Sequence, residues 1–152
     1  MMQKLNRLLI VLALAIIYLA PVHADGGDAG SGSPLAPFQE LIDGGKYQQA
    51  ITELDKALKD EPDNADLLNL MAYSQRQLKH YDIALEYYQK ALLIDPGHRG
   101  ANEYLGELYL QIGQLQKAEE QLQVLDKECF FGCEEYDDLE AAITDYRKQN
   151  PS

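Results

Sequence analysis

Residues 46–62, KYQQAITELDKALKDEP, and residues 80–96, HYDIALEYYQKALLIDP, lie on one another without a gap. Tyr47 falls on Tyr81, Ala50 on Ala84, Leu54 on Tyr88, Ala57 on Ala91 and Pro62 on Pro96, each pair 34 residues apart. A third copy, QLQKAEEQLQVLDKECF at 114–130, sets Leu115, Ala118 and Leu122 at the same phase, another 34 residues on. A fixed period of this length marks a chain built from stacked units, none of which buries its apolar face alone.

Within a unit the apolar residues recur at spacings of three and four, which line one face of a helix. In the second copy Leu68, Met71, Ala72 and Gln75 belong to a first helix, and Ala84, Tyr88 and Ala91 to a second. Ala72 and Ala84 are small where the two helices must approach closely, and Ala91 is small to admit the next unit. Pro96 stops the second helix, because it lacks a backbone donor and crowds the preceding turn. DPGHRGA then turns into the third copy, whose first helix carries Leu105, Gly106 and Tyr109.

The period and these residues resemble the tetratricopeptide repeat, a helix-turn-helix unit whose copies stack into a superhelix. The resemblance implies an all-α fold, an α-solenoid of three such helix pairs at about 35–62, 64–96 and 98–128, followed by a turn and a C-terminal capping helix within 129–152. The pattern frays at both ends. Pro34 and Pro37 shorten the first helix to PFQELIDGG, while Leu125 and Phe130 replace the alanine and proline expected of the last copy. That last unit therefore meets something other than another repeat. In EEYDDLEAAITDYRKQN, Tyr136, Leu139, Ile143 and Tyr146 form one apolar face, as a cap over the end of a stack requires.

The opening residues set the compartment. Lys4 and Arg7 precede an unbroken apolar run at 8–20, and PVHA follows, the layout of a signal peptide cut after Ala24. The run is shorter than the roughly 20 residues of a membrane span, so no stable insertion is expected after cleavage, and the mature chain is expected to be periplasmic or secreted. Residues 25–34, DGGDAGSGSP, read as a flexible linker. Losing Lys4 and Arg7 moves the formal charge from -12 to -14. Such a chain repels phosphate backbones and excludes nucleic acid as a partner; it favours basic proteins, cations or simple solubility.

Both cysteines, Cys129 and Cys133, lie in KECFFGCEEYDD at the joint between the last repeat and the cap. An oxidising compartment preserves a disulfide, and Gly132 allows the chain to end a helix in the left-handed conformation and bring the thiols together. A structural disulfide is the favoured reading. Metal ligation, a redox-active pair and idle thiols remain alternatives. Zinc needs two further ligands, and His80 and His98 stand more than 30 residues upstream. The spacing is neither CxxCH, as haem attachment needs, nor CxxC. The residues from 125 to 146 also resemble the tail of small exported bacterial tetratricopeptide proteins, a group that implies no settled biochemical role.

In this family the fifth and ninth positions of each first helix usually face the groove. Carried over, these are Asn69 and Tyr73 in the second copy and Glu103 and Glu107 in the third, with Arg76 one turn beyond Tyr73. The groove is expected to be acidic with an aromatic platform, suited to an exported protein or peptide bearing Lys or Arg. A carboxylate clamp is not expected, since Leu70, Gly100 and Tyr104 occupy its places. CEEYDDLE lacks the alternating oxygens and glycine of a calcium loop, and its acids suit the first turns of a helix. With no histidine paired to a nucleophile and no glycine-rich loop, neither a catalytic site nor a metal or other cofactor is expected. The leading reading is an adaptor that binds through its groove; the rival is a metal- or redox-handling protein using Cys129 and Cys133.

Overall fold

A computed structural model describes residues 33–151; the expected signal peptide and nearly all of the linker lie outside them. The described residues form seven helices and no strand: α1 (Ala36–Asp43), α2 (Tyr47–Asp60), α3 (Ala65–Gln77), α4 (Tyr81–Ile94), α5 (Arg99–Gln111), α6 (Leu115–Glu128) and α7 (Glu134–Gln149). None of these helices is long and apolar enough to cross a membrane. The architecture is an all-α solenoid. Consecutive helices pack as antiparallel pairs, and α1, α3, α5 and α7 also touch in succession while α2, α4 and α6 do not touch one another. The odd-numbered helices therefore crowd the inside of the curve and the even-numbered ones spread over its outside.

The pairs turn by one device used three times. Gly45, Lys79 and Gly113, spaced by the repeat length, all hold left-handed backbone, with φ of 67°, 64° and 76°. Each is the residue just past the cap of an inner helix. Its N–H donates to a carbonyl three residues back, and the next N–H reaches five back: Gly45 to Ile42 and Lys46 to Leu41, Lys79 to Arg76 and His80 to Gln75, Gly113 to Leu110 and Gln114 to Tyr109. This is the Schellman ending, which satisfies carbonyls that a helix terminus leaves unpaired. The starts of α3 and α5 are capped by side chains. Asn64 accepts from the Leu67 N–H, and His98 Nδ1 accepts from the Ala101 N–H. With Nδ1 accepting, His98 Nε2 is free to donate to Asp66 Oδ1 at 3.1 Å, which ties α5 to the start of α3.

The core follows the repeat. Ala50, Ala84 and Ala118 are fully buried, as are Ala72 and Ala91, so the small residues stand where helices approach closely. Tyr88 and Leu125 are also fully buried. Leu139 and Ile143 of α7 close the far end, and burying each contributes roughly 1.5–3 kcal/mol. Gly106 makes this closure possible. A Cβ there would meet the Leu139 methyl carbons at 2.6 and 2.7 Å, so any side chain would force Leu139 to shift from its seat on α5. At the other end α1 is eight residues long, with Pro37 in its first turn, against thirteen for α3 and α5.

Candidate functional site

The inner helices are set against one another in a constant register. Asn69 faces Gly100, Tyr73 packs on Tyr104, and Arg76 pairs with Glu107, each couple 31 residues apart. The offset is shorter than the repeat by almost one helical turn, because adjacent inner helices are staggered along their axes. It brings together four of the five groove residues expected from the sequence and adds a fifth, Tyr104, which had been noted only as occupying a clamp position.

Arg76 is at the centre of this cluster. It is only 5% exposed, and its guanidinium meets Glu107 at 2.6 Å. Its Cζ stands 5.3 Å from the Tyr73 ring centre and 5.5 Å from that of Tyr104, within the range of a cation–π contact. Burial alone would lower the Arg76 pKa, but the neighbouring Tyr88 and Glu107 outweigh it and the net shift is upward, so the group stays charged. Tyr47 extends the aromatic row, 6.5 Å from Tyr73. Burial pushes the Tyr104 phenol up to about 12, so it is neutral at physiological pH. Arg76 and Glu107 thus neutralise each other inside the wall of the groove, where the family carry-over had placed ligand-facing groups. Burial of the guanidinium between two rings could not be read from spacing alone.

Two clefts adjoin the cluster. One, of about 340 Å³, is lined by Gln39, Ile42, Asp43, Leu70, Tyr73 and Tyr104. The other, of about 290 Å³, shares Gln39, Leu70 and Tyr104 with it and continues past Asn69 and Glu103 to Glu134, Glu135 and Asp138 of α7. Together they form one groove along the inner helices, aromatic and apolar at the α1 end and acidic at the α7 end. Asn69 and Glu103, each 7% exposed, belong to the acidic half. Burial, reinforced by Glu107, Asp138 and Glu135 and opposed by Arg76, raises the Glu103 carboxyl to about 8. The contribution of α7 was missed from sequence. A cap was expected to cover apolar surface; that its first turns also bring Glu135 and Asp138 close to Glu103 emerges only from packing.

At the joint, Cys129 and Cys133 are joined as a disulfide with Cα atoms 5.5 Å apart. Gly132 holds the left-handed conformation, φ 85°, but it does not end α6. The helix stops at Glu128 with Cys129 as its cap, and Gly132 instead closes a turn by donating to the Cys129 carbonyl at 2.7 Å. Extended backbone at Cys133 then starts α7, whose first turn carries Glu134, Glu135 and Asp137 at the positive end of the helix dipole. A Glu135 carboxylate oxygen and both sulfurs lie within 4.8 Å of one another. The sulfurs are bonded to each other, whereas a metal requires thiolates, and the three donors fall one short of a closed zinc site. The arrangement works as a staple between α6 and α7.

Comparison with known proteins places the chain among repeat proteins. Two tetratricopeptide repeat sequence profiles match it, one over residues 35–98 and the other over 75–143. An uncharacterized protein, ycf37, of Guillardia theta is 35% identical over 85 residues, which are 52% of this chain and 48% of that one. The chain thus spans about half the length of that curated relative. A tetratricopeptide repeat protein from Parabacteroides merdae superposes with a TM-score of 0.63 at 22% identity, covering 78% of this chain and 48% of its own. The Yersinia enterocolitica type III secretion chaperone SycD, in complex with a peptide of the translocator YopD, superposes with a TM-score of 0.63 at 17% identity, covering 75% and 86%. At these identities the superpositions report the fold.

Proposed function

The chain belongs to the tetratricopeptide repeat family, and on that premise we propose that it is a binding scaffold, not an enzyme, whose inner groove holds a segment of a protein partner. The observation that carries the reading is the continuity of the two clefts. Four helices contribute to a single groove that offers aromatic and apolar surface at one end and carboxylates at the other. A polypeptide segment can present an apolar and a basic residue a few positions apart and satisfy both ends. The same fold holds a peptide in the SycD complex. Complementary charge mainly raises encounter rate and selectivity, and the formal charge of -12 favours a basic partner. The proposed setting is outside the cytoplasm, on the strength of the apolar run at 8–20 and the oxidised cysteine pair.

Site-specific photocrosslinking in the native cell tests the scaffold reading. A crosslinker at exposed Gln39 or Glu134 on the groove rim is expected to capture a discrete protein, while one at Leu93, exposed on an outer helix, captures none. Crosslinks from Leu93 alone would refute the groove. Cell fractionation tests the location, with recovery in the cytoplasm as the contrary result.

A further inference from the structure

The acidic half of the groove has more acceptor capacity than the protein satisfies. Glu103 is 7% exposed, and only desolvation and charge effects act on it; no hydrogen bond or ion pair reaches it among the described residues. Across the cleft Asn69, also 7% exposed, has a carbonyl oxygen buried without a partner. A buried polar group left unpaired costs about 1–3 kcal/mol, more if charged. The buried Asn69 carbonyl and the Glu103 carboxyl, from neighbouring helices and lining one cleft, constitute an unfilled acceptor site. Glu134, Glu135 and Asp138 of α7 add carboxylates around its mouth. The acids of α7 have a structural explanation of their own in the helix dipole, roughly half a positive charge at its N-terminus. Glu103 and Asn69 stand on other helices and have none.

We propose that this half of the groove is a pocket for one cationic side chain, a lysine ammonium or arginine guanidinium, of the partner segment. Both groups carry several donors and no acceptor, so either pairs with Glu103 and Asn69 together. Leu70 and Tyr104 wall the cleft and suit the aliphatic stem. Arg76 shows the same recognition from within the chain: a guanidinium held by a carboxylate, Glu107, against the faces of Tyr73 and Tyr104. With the pocket empty, its carboxylates repel one another and Glu103 stays protonated near neutrality. An entering cation reverses the balance, so Glu103 releases its proton to bulk water as the ion pair forms. The proposal rests on the scaffold reading and narrows it: the groove selects a segment by one basic residue.

The test is a titration of the full chain, followed by NMR, with an acetylated and amidated Ala-Lys-Ala peptide, its Ala-Arg-Ala counterpart, and Ala-norleucine-Ala as the uncharged control. Saturable shifts centred on Asn69 and Glu103 are expected with the two basic peptides and at least tenfold weaker binding with norleucine. Calorimetry in two buffers of different ionisation enthalpy should show proton release on binding, which a purely structural Glu103 would not produce. Glu103→Gln should abolish the proton release and weaken binding about tenfold, equivalent to roughly 1.4 kcal/mol, with its folded spectrum retained. Equal binding of norleucine, or shifts elsewhere on the chain, would overturn the pocket. So would equal occupancy by free cadaverine or by magnesium chloride, which would make it a site for small cations. If groove crosslinks form while the basic peptides fail to bind, the scaffold stands and the cation pocket falls; if the crosslinks also fail, both fall.

Discussion

Lys79 is a side-chain residue in a place the other two repeats give to glycine, and replacing it should stabilise the fold. Its φ of 64° matches those of Gly45 and Gly113 at the equivalent inner-helix endings. A Cβ in the left-handed region costs about 1–2 kcal/mol. Glycine forfeits roughly 0.5–1 kcal/mol of that gain through its greater freedom in the unfolded chain, so Lys79→Gly should stabilise by about 0.5–1 kcal/mol. Both backbone hydrogen bonds of the ending, Lys79 to Arg76 and His80 to Gln75, are made by N–H groups and survive the change. With an unfolding entropy near 2.1 cal/mol/K per residue, the folded residues correspond to a rise in Tm of about 2–4 °C. Thermal unfolding followed by circular dichroism at 222 nm measures it. Lys79→Ala is the control, since it removes the ammonium and keeps the Cβ. Gly113→Lys is the converse and should lower Tm. If Lys79→Gly leaves Tm unchanged, or if Lys79→Ala raises it equally, the backbone argument is wrong and any gain comes from removing charge.

Three further outcomes are expected. Gly106→Ala should destabilise by about 1–3 kcal/mol in urea denaturation, because its methyl would overlap Leu139, and pairing it with Leu139→Ala should recover part of the loss. Replacing both Cys129 and Cys133 by serine should cost about 2 kcal/mol, the unfolded-state entropy released by so short a loop, with the same loss in wild type on adding dithiothreitol; an unchanged Tm in both would refute a stabilising staple. The Glu103 carboxyl titrates near 8 when folded against an ordinary 4.5. The folded state therefore holds the proton more tightly, and the contribution of Glu103 is most favourable below pH 4.5 and is lost as pH rises to about 8. Glu103→Gln should flatten that decline by at most about 5 kcal/mol, measured as the difference between the urea midpoints of variant and wild type at pH 5 and pH 8; parallel profiles would show that Glu103 titrates normally.

What the sequence by itself determined is the solenoid. The 34-residue rhythm, the alanines at 50, 84 and 118 and the apolar face of the last helix are local statements about which side of a helix is buried, and helical periodicity makes them legible. The shortened first helix and the left-handed backbone at Gly132, though not its place in a turn beyond the end of α6, were legible for the same reason, since proline and glycine act on their own backbone. The groove is different. Asn69, Tyr73, Glu103 and Glu107 could be assigned to an inner face by family position, but not which of them pair off and which are left bare. That depends on the stagger between neighbouring helices, set by how side chains interlock across the interface. A shift of one turn would have matched Arg76 with another residue and left Glu107 unpaired. The 31-residue offset between α3 and α5 gave Arg76 to Glu107 and the two tyrosines and left Glu103 and Asn69 without partners, and the packing of α7 added the carboxylates of a helix expected only to cover the end of the stack. Periodicity within a helix is written in the chain, whereas register between helices is a property of the packed whole.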